Sequence, residues 1–286
     1  MKIAICCLNS KYIHSSLAPW CLFSALKDKS NDVKAEVIED TINNDIKIIT
    51  DKIINGKYDV VSFSCYIWNI TKTLEICKNI KTKTDSTIIL GGPEVSYRAK
   101  NVLNDYPFID FVLSGEGEES FPQFIEEHGT NKCYNYVDGL TYRDNDNTIV
   151  SIPEKQYTGT PVNPYCDEFF DSLNNRISYI ETSRGCPYNC AFCLSGRCSK
   201  LRFFDIEQTK EKIIKLSNSG TKTIKFVDRT FNASPKRANE ILSFILENHK
   251  KTIPENVCFH FEIAGDILKE ETFEILELLS KNKSKN

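Results

Sequence analysis

The sequence predicts an α/β chain in two parts, a Rossmann-like doubly wound parallel sheet followed by a shorter second βα series. Three observations predict it. Short β-rich runs alternate with longer stretches of helical period over about the first 128 residues. The pattern then breaks into turn and proline signals, and the alternation begins again at Ile177.

Taken in order, residues 2–7, 35–39, 60–66, 87–91 and 111–114 are short runs rich in Ile, Val, Leu, Phe and Cys, the length and composition of buried strands. Between them, 45–54 and 71–80 carry Ile, Leu and Cys at three- and four-residue spacing, as amphipathic helices do. A further helix over 121–127 follows the fifth strand. These elements form a domain over 1–130. Segment 131–175 holds Asp138-Gly139, a polar turn at 142–148 between strand-like pieces, and Pro153, Pro161 and Pro164, which predicts a hairpin and an extended linker. The third part, 176–286, alternates strands at 177–181, 223–227 and 257–263 with helices at 206–218, 235–249 and 270–280. The Lys- and Asn-rich last residues are expected to fray.

Composition narrows the function classes. Apolar residues make up 41% and charged residues 26% of the 286, the balance of a globular chain with room for two cores. A formal charge of −3 with mixed signs offers no basic stripe, so no nucleic-acid partner is expected and a small-molecule substrate is. No stretch has the eighteen or so apolar residues of a membrane span, and Met1-Lys2 runs into a strand, not a signal-peptide core, so no membrane partner and a cytoplasmic location are expected. In that compartment the 12 cysteines are reduced residues plus a metal site, not a disulfide framework. Cys6, Cys7, Cys65 and Cys258 lie in apolar runs and are expected in the core.

The chemistry concentrates in Cys186-Pro-Tyr-Asn-Cys190-Ala-Phe-Cys193. Random placement of the cysteines would give this triplet roughly 0.02 times per chain. Three thiolates on one short loop can hold three irons of a cubane and leave the fourth open. Zinc is the rival occupant, but a tetrahedral structural site takes four ligands and Cys198 is the only other cysteine nearby.

With the strand at 177–181, the Thr-Ser-Arg-Gly segment before the first cysteine and Phe192 before the last, this loop resembles the signature of radical S-adenosylmethionine (SAM) enzymes. The N-terminal part resembles the cobalamin-binding domain fused ahead of the radical core in one large subgroup. The resemblance implies a 4Fe-4S cluster on Cys186, Cys190 and Cys193, SAM chelating the open iron, and one-electron cleavage to a 5'-deoxyadenosyl radical. It also implies an electron donor such as flavodoxin or ferredoxin, and methyl transfer or rearrangement as the subsequent reaction. Phe192 would lie near the adenine; Asp228 and Glu262, at strand ends, would reach the amino group or ribose of SAM. Arg184 and Arg197 flank the loop and either offset its thiolate charge or form surface pairs. His260 and Glu262 share one face of their strand.

Ligands of open parallel sheets bind at the carboxyl ends of the strands. The loops there contain His14, Trp68, Gly91-Gly92-Pro93-Glu94 and Gly115-Glu116-Gly117. Glycine permits close approach of a flat ligand, and the resemblance implies cobalamin. His14 departs from the Asp-x-His-x-x-Gly site of the methionine synthase type, because Tyr12-Ile13-His14-Ser15-Ser16-Leu17 lacks both the aspartate and the glycine. It is expected to be a pocket residue more than an axial cobalt ligand. Only three βα units follow residue 176, where the resemblance implies a barrel of six. A partial TIM-type barrel is therefore expected, completed by a second chain or truncated. The alternative to an enzyme is a noncatalytic corrinoid- or cluster-binding module.

Overall fold

A computed structural model of the chain describes residues 1–29, 33–157, 159, 161–173, 175–194 and 200–281. They form two compact units, Met1–Cys166 and Asp167–Asn286.

The first unit is built on β1 (Lys2–Asn9), β2 (Lys34–Thr41), β3 (Val60–Ser64), β4 (Thr87–Gly91) and β5 (Phe111–Leu113), all parallel. The connecting helices are α1 (Leu17–Lys29), α2 (Ile46–Gly56), α3 (Ile70–Lys81), the short α4 (Pro93–Ser96) and α5 (Ala99–Asp105), with α6 (Gly117–Gly129) after β5. β1 and β3 are buried along nearly their whole length because helices cover both faces, which is why these strands read as continuous apolar runs. Ile49, Ile53, Ile76 and Ile80 bring the apolar faces of α2 and α3 to the sheet. Asp45 caps α2 through its side chain, accepting from the Lys47 amide at 2.7 Å.

β6 (Leu140–Arg143) and β7 (Ile149–Ser151) are the expected hairpin. They continue the same sheet antiparallel, in the order β2-β1-β3-β4-β5-β6-β7. The turn between them is closed by Asp144, whose carboxylate accepts from the amides of Asp146 and Thr148 at 3.0 and 2.8 Å.

Strand order reverses between β1 and β3, and this is the topological switch point where such sheets open a crevice. Asn69, fully buried, ties the two sides together there. Its amide donates to the carbonyls of Leu8 at 3.1 Å and Ser64 at 3.0 Å, and its carbonyl accepts from the Tyr66 amide at 2.7 Å. Asn69→Ala strands three buried backbone groups and is expected to destabilise the first unit by about 3 kcal/mol or more. Urea unfolding of the full chain followed by far-UV circular dichroism checks it; a loss under about 1 kcal/mol would mean water replaces the amide.

The second unit contains α7 (Asp167–Ser172), β8 (Ser178–Ile180), β9 (Ser183–Arg184), β10 (Arg202–Phe203), α8 (Ile206–Ser217), β11 (Thr223–Phe226), α9 (Pro235–Asn248), β12 (Cys258–His260) and α10 (Glu270–Lys281). β8, β11 and β12 form a parallel sheet in the order β12-β11-β8, and β9 pairs antiparallel with β10. Its core packs Phe226 against Phe231 and Phe261, with ring centroids 5.2 and 4.5 Å apart, beside Ile213, Leu216, Ile241, Leu242 and Ile245. Thr272 docks α10 onto α9 by donating to Asn239 at 2.7 Å.

Two expectations need correction, and one helix, Leu17–Lys29, is not among the predicted elements because no three-to-four-residue stripe marks it. The third strand of the second unit is only Cys258–His260, because β12 pairs with β11 over three residues. Cys258 is exposed on that strand and is not a core residue, whereas Cys6, Cys7 and Cys65 are buried as expected.

Candidate functional site

The carboxyl ends of β1, β3, β4 and β5 present an apolar surface around the switch point. After β3 the chain turns through Tyr66, Ile67 and Trp68 before Asn69 anchors it. The rings of Tyr66 and Trp68 stack at 4.5 Å with planes 3° apart. Ile67 is 80% and Trp68 48% exposed, and Tyr12, Ile13 and Tyr97 on the neighbouring loops are also exposed. Large apolar side chains exposed on several loops at one end of a sheet are the kind of surface a ligand covers, although Ile48 and Tyr136 are exposed elsewhere in this unit as well. Tyr12, Ile13 and Ile67 lie in the loops that the sequence places at the strand ends, whereas Tyr97 lies outside them.

The glycine loops have a structural reason of their own. Gly92 adopts φ +100°, and a Cβ there would stand 2.6 Å from the Cys65 carbonyl oxygen. The backbone after β4 is therefore packed onto the backbone after β3. Gly115 has φ +83°, and Glu116 caps α6 in an extended conformation. Gly117 faces Leu22 of α1, with only 2.7 Å for a Cβ. Gly91 is the last residue of β4, and Glu94 of α4 pairs with Arg98 at 3.7 Å. His14 is half-buried, its amide donating to the Lys11 carbonyl at 3.2 Å. A cavity of about 680 Å³ lies along α6, lined by Leu26 and Lys29 of α1, Glu119 and Gln123 of α6, and Lys155 and Tyr157. It meets the predicted loops at Ser114 and Glu116.

Burial pushes the thiols of Cys6, Cys65 and Cys77 up, reinforced by neighbouring thiols. All three lie in the core of the first unit with no accessible thiol.

In the second unit the three signature cysteines lie on the loop between β9 and β10. Cys186 and Cys193 are partly accessible and Cys190 is exposed, and the Cys193 amide donates to the Cys190 carbonyl at 3.0 Å. Among the described residues no three His, Cys, Asp or Glu side chains converge as ligands of one metal ion do. A cubane takes each thiolate on a different iron, so its ligands stand apart, and three accessible thiols on one loop are a donor set that fits it. Cys198 and Arg197 lie outside the described residues.

The loop is pinned to the strands beneath it. Ser183 pairs with Phe203 and Arg184 with Arg202 at its base. Arg184 forms a forked pair with Glu181 at 2.9 and 2.7 Å, so it is committed to a carboxylate beside the loop. Tyr188 donates to the Asp266 carboxylate at 3.1 Å. Thr230 stands with its hydroxyl 3.5 Å from the Cys186 sulfur. Phe192 is 93% exposed, a placement open to a ligand.

Asp228 lies beneath the segment that enters the loop. It is 1% exposed and its carboxylate is used by the chain itself, accepting from the Thr182 amide and hydroxyl at 3.2 and 2.8 Å and from the Ser183 hydroxyl. Burial raises its pKa and those hydrogen bonds oppose the rise. Glu262 remains at the surface, paired with Lys225 at 3.2 Å, and His260 is exposed on β12.

Comparison with known proteins agrees with both units. The family model for the B12 binding domain matches residues 3–125, and that for the radical SAM superfamily matches 180–283. A 2-(S-pantetheinyl)-carbapenam-3-carboxylate methyltransferase of Streptantibioticus cattleyicolor is 29% identical over 62% of this chain and 28% of its own length. An uncharacterized methyltransferase of Pyrococcus horikoshii is 27% identical over 74% of this chain and 48% of its own. The chain thus spans half or less of these relatives. Among solved structures, the cobalamin-dependent SAM radical enzyme OxsB superposes with a TM-score of 0.75 at 20% identity, over 97% of this chain and 41% of that one. The radical SAM methyltransferase TsrM of Kitasatospora setae, solved with cobalamin and a 4Fe-4S cluster, gives 0.76 at 16% identity, over 97% of this chain and 58% of that one.

Proposed function

From the premise that this chain is a radical SAM protein with an N-terminal B12-binding domain, we propose that it holds a 4Fe-4S cluster, SAM and cobalamin, and serves methyl transfer to a small-molecule substrate. The observation that carries the reading is the cysteine loop, with three accessible thiols set over strand ends whose own polar groups hold the loop in place.

Cys186, Cys190 and Cys193 would hold three irons, leaving one open to the amino and carboxylate groups of SAM. When bound, the cluster supplies one electron to the sulfonium and cobalamin supplies a transferable methyl group. The residues of this chain bind and orient these groups. Phe192 would offer its exposed ring and backbone to the adenine, and Glu262, two residues past the end of β12, a carboxylate to the amino group or ribose of SAM. In the first unit the stacked Tyr66 and Trp68, with Tyr12, Ile13 and Tyr97, offer an apolar surface to the corrin face. Gly91, Gly92 and Glu94 and then Gly115, Glu116 and Gly117 line the neighbouring strand ends. His14 sits on the loop after β1 as a pocket residue. Methyl transfer is favoured over rearrangement because the relatives above are named methyltransferases.

The radical chemistry requires an electron donor, such as a flavodoxin or ferredoxin. Among the described residues β12 pairs on one side only, and an open strand edge is a pairing surface. Further strands of the barrel, from this protein or a second chain, would close it. No helix of the described residues is long and apolar enough to cross a membrane, and a thiolate-held cluster suits the reducing cytoplasm.

Two titrations test the proposal. Anaerobic incubation with iron and sulfide is expected to load about four irons per chain. Hydroxocobalamin is expected to bind one per chain in equilibrium dialysis. A chain that takes up zinc in preference to iron, or that retains no corrinoid, contradicts the corresponding half.

A further inference from the structure

Two polar side chains that follow β11, Asp228 and Thr230, contact the cysteine loop or the segment that enters it. Resting on the functional reading above, we infer that Asp228 and Thr230 are positioning residues for the cluster: Asp228 fixes the segment that enters the loop, and Thr230 holds the sulfur of Cys186.

Thr182 and Ser183 are the last residues before the Arg184-Gly185-Cys186 turn, and both are buried. The Asp228 carboxylate collects the Thr182 amide, the Thr182 hydroxyl and the Ser183 hydroxyl. From the other side the Thr182 carbonyl accepts from Arg237 at 3.3 Å and from the Phe204 amide at 3.0 Å. Arg237 also lies over the Phe203 ring at 5.6 Å and donates to Thr209 at 3.2 Å. Every polar group of the Thr182 peptide is therefore fixed, and with it the direction in which the chain enters Gly185, which has φ +95°.

Thr230 completes the arrangement two residues after Asp228. It is 5% exposed, and its hydroxyl is 3.5 Å from the Cys186 sulfur. Once Cys186 is a thiolate, the hydroxyl is the only member of the pair with a proton to donate. Hydrogen bonds to cluster sulfurs tune reduction potential, and groups that orient metal ligands typically change metal affinity by about 10- to 100-fold when removed.

The test loads the full chain anaerobically with iron and sulfide as wild type, Thr230→Val, Thr230→Ser and Asp228→Asn. Iron content and the cluster's midpoint potential are then read. Thr230→Val is expected to keep its iron and shift the midpoint to more negative values, since the thiolate loses a donor, and Thr230→Ser to restore it. Asp228→Asn offers one acceptor oxygen where the chain uses two, and iron affinity is expected to fall about 10-fold with the apo circular dichroism unchanged. If Asp228→Asn folds poorly, the Thr230 pair decides alone. A loaded wild type whose Thr230→Val variant has the same midpoint overturns the inference and spares the functional reading; a wild type that takes up no cluster overturns both.

Discussion

Replacing any one of Cys186, Cys190 and Cys193 by alanine is expected to remove the cluster from this protein. Each thiolate would hold a different iron, so the loss of one exposes that iron to water and leaves the cubane two anchors. Outer partners of metal ligands are worth about 10- to 100-fold in affinity, and a ligand itself is expected to exceed that range. The thiols of Cys6, Cys65 and Cys77 in the first unit's core are buried and closed to iron. Exposure alone does not make a ligand either. Cys133 and Cys258 are exposed, and their alanine variants are expected to load iron like the wild type. Iron and sulfide analysis of the five variants separates the cases, and a signature variant with full iron would place the cluster elsewhere.

The second large effect is expected at Trp68. A Trp side chain buries roughly 150–250 Å² when covered, and about half of this one is open at the switch point. Covering the remainder with a flat ligand at about 25 cal/mol per Å² gives roughly 2 kcal/mol, or about 30-fold in affinity. Trp68→Ala is therefore expected to raise the Kd for hydroxocobalamin by about that factor, and Trp68→Phe by less. Stability should hardly change, since the ring lies outside the core and Asn69 still anchors the turn. Absorbance titration gives the Kd and thermal unfolding the control. An unchanged Kd would put the corrin away from this surface.

Strands β1, β3, β4 and β5 are legible because burial on both faces makes them apolar nearly throughout, and 87–91 coincides with β4. α1 is not legible, for a related reason. Buried residues Pro19, Trp20, Cys21, Phe23, Ser24, Ala25 and Leu26 occur on most of its circumference, so no polar face remains to give it a period. In the second unit the cysteine spacing needs no structure, because the ligand types and the loop length are written in the chain. Asp228 shows the opposite case. Alternation along β11 stops at Phe226, and nothing in sequence says whether the residues beyond the strand end turn outward to a ligand or inward to Thr182 and Ser183. Asn69 is hidden in the same way, since its partners Leu8 and Ser64 are brought together only by the pairing of β1 with β3. Contacts made between strand ends are properties of the sheet, and a single segment does not display them.

The most direct test is electron paramagnetic resonance of the anaerobically reconstituted, reduced full chain, recorded with and without SAM. A 4Fe-4S signal whose shape changes on addition of SAM is the predicted result, since one iron is left without a protein ligand and the cofactor would occupy it. A reconstituted signal indifferent to SAM, or a chain that yields no iron-sulfur signal, would contradict the assignment of a radical SAM site to this loop.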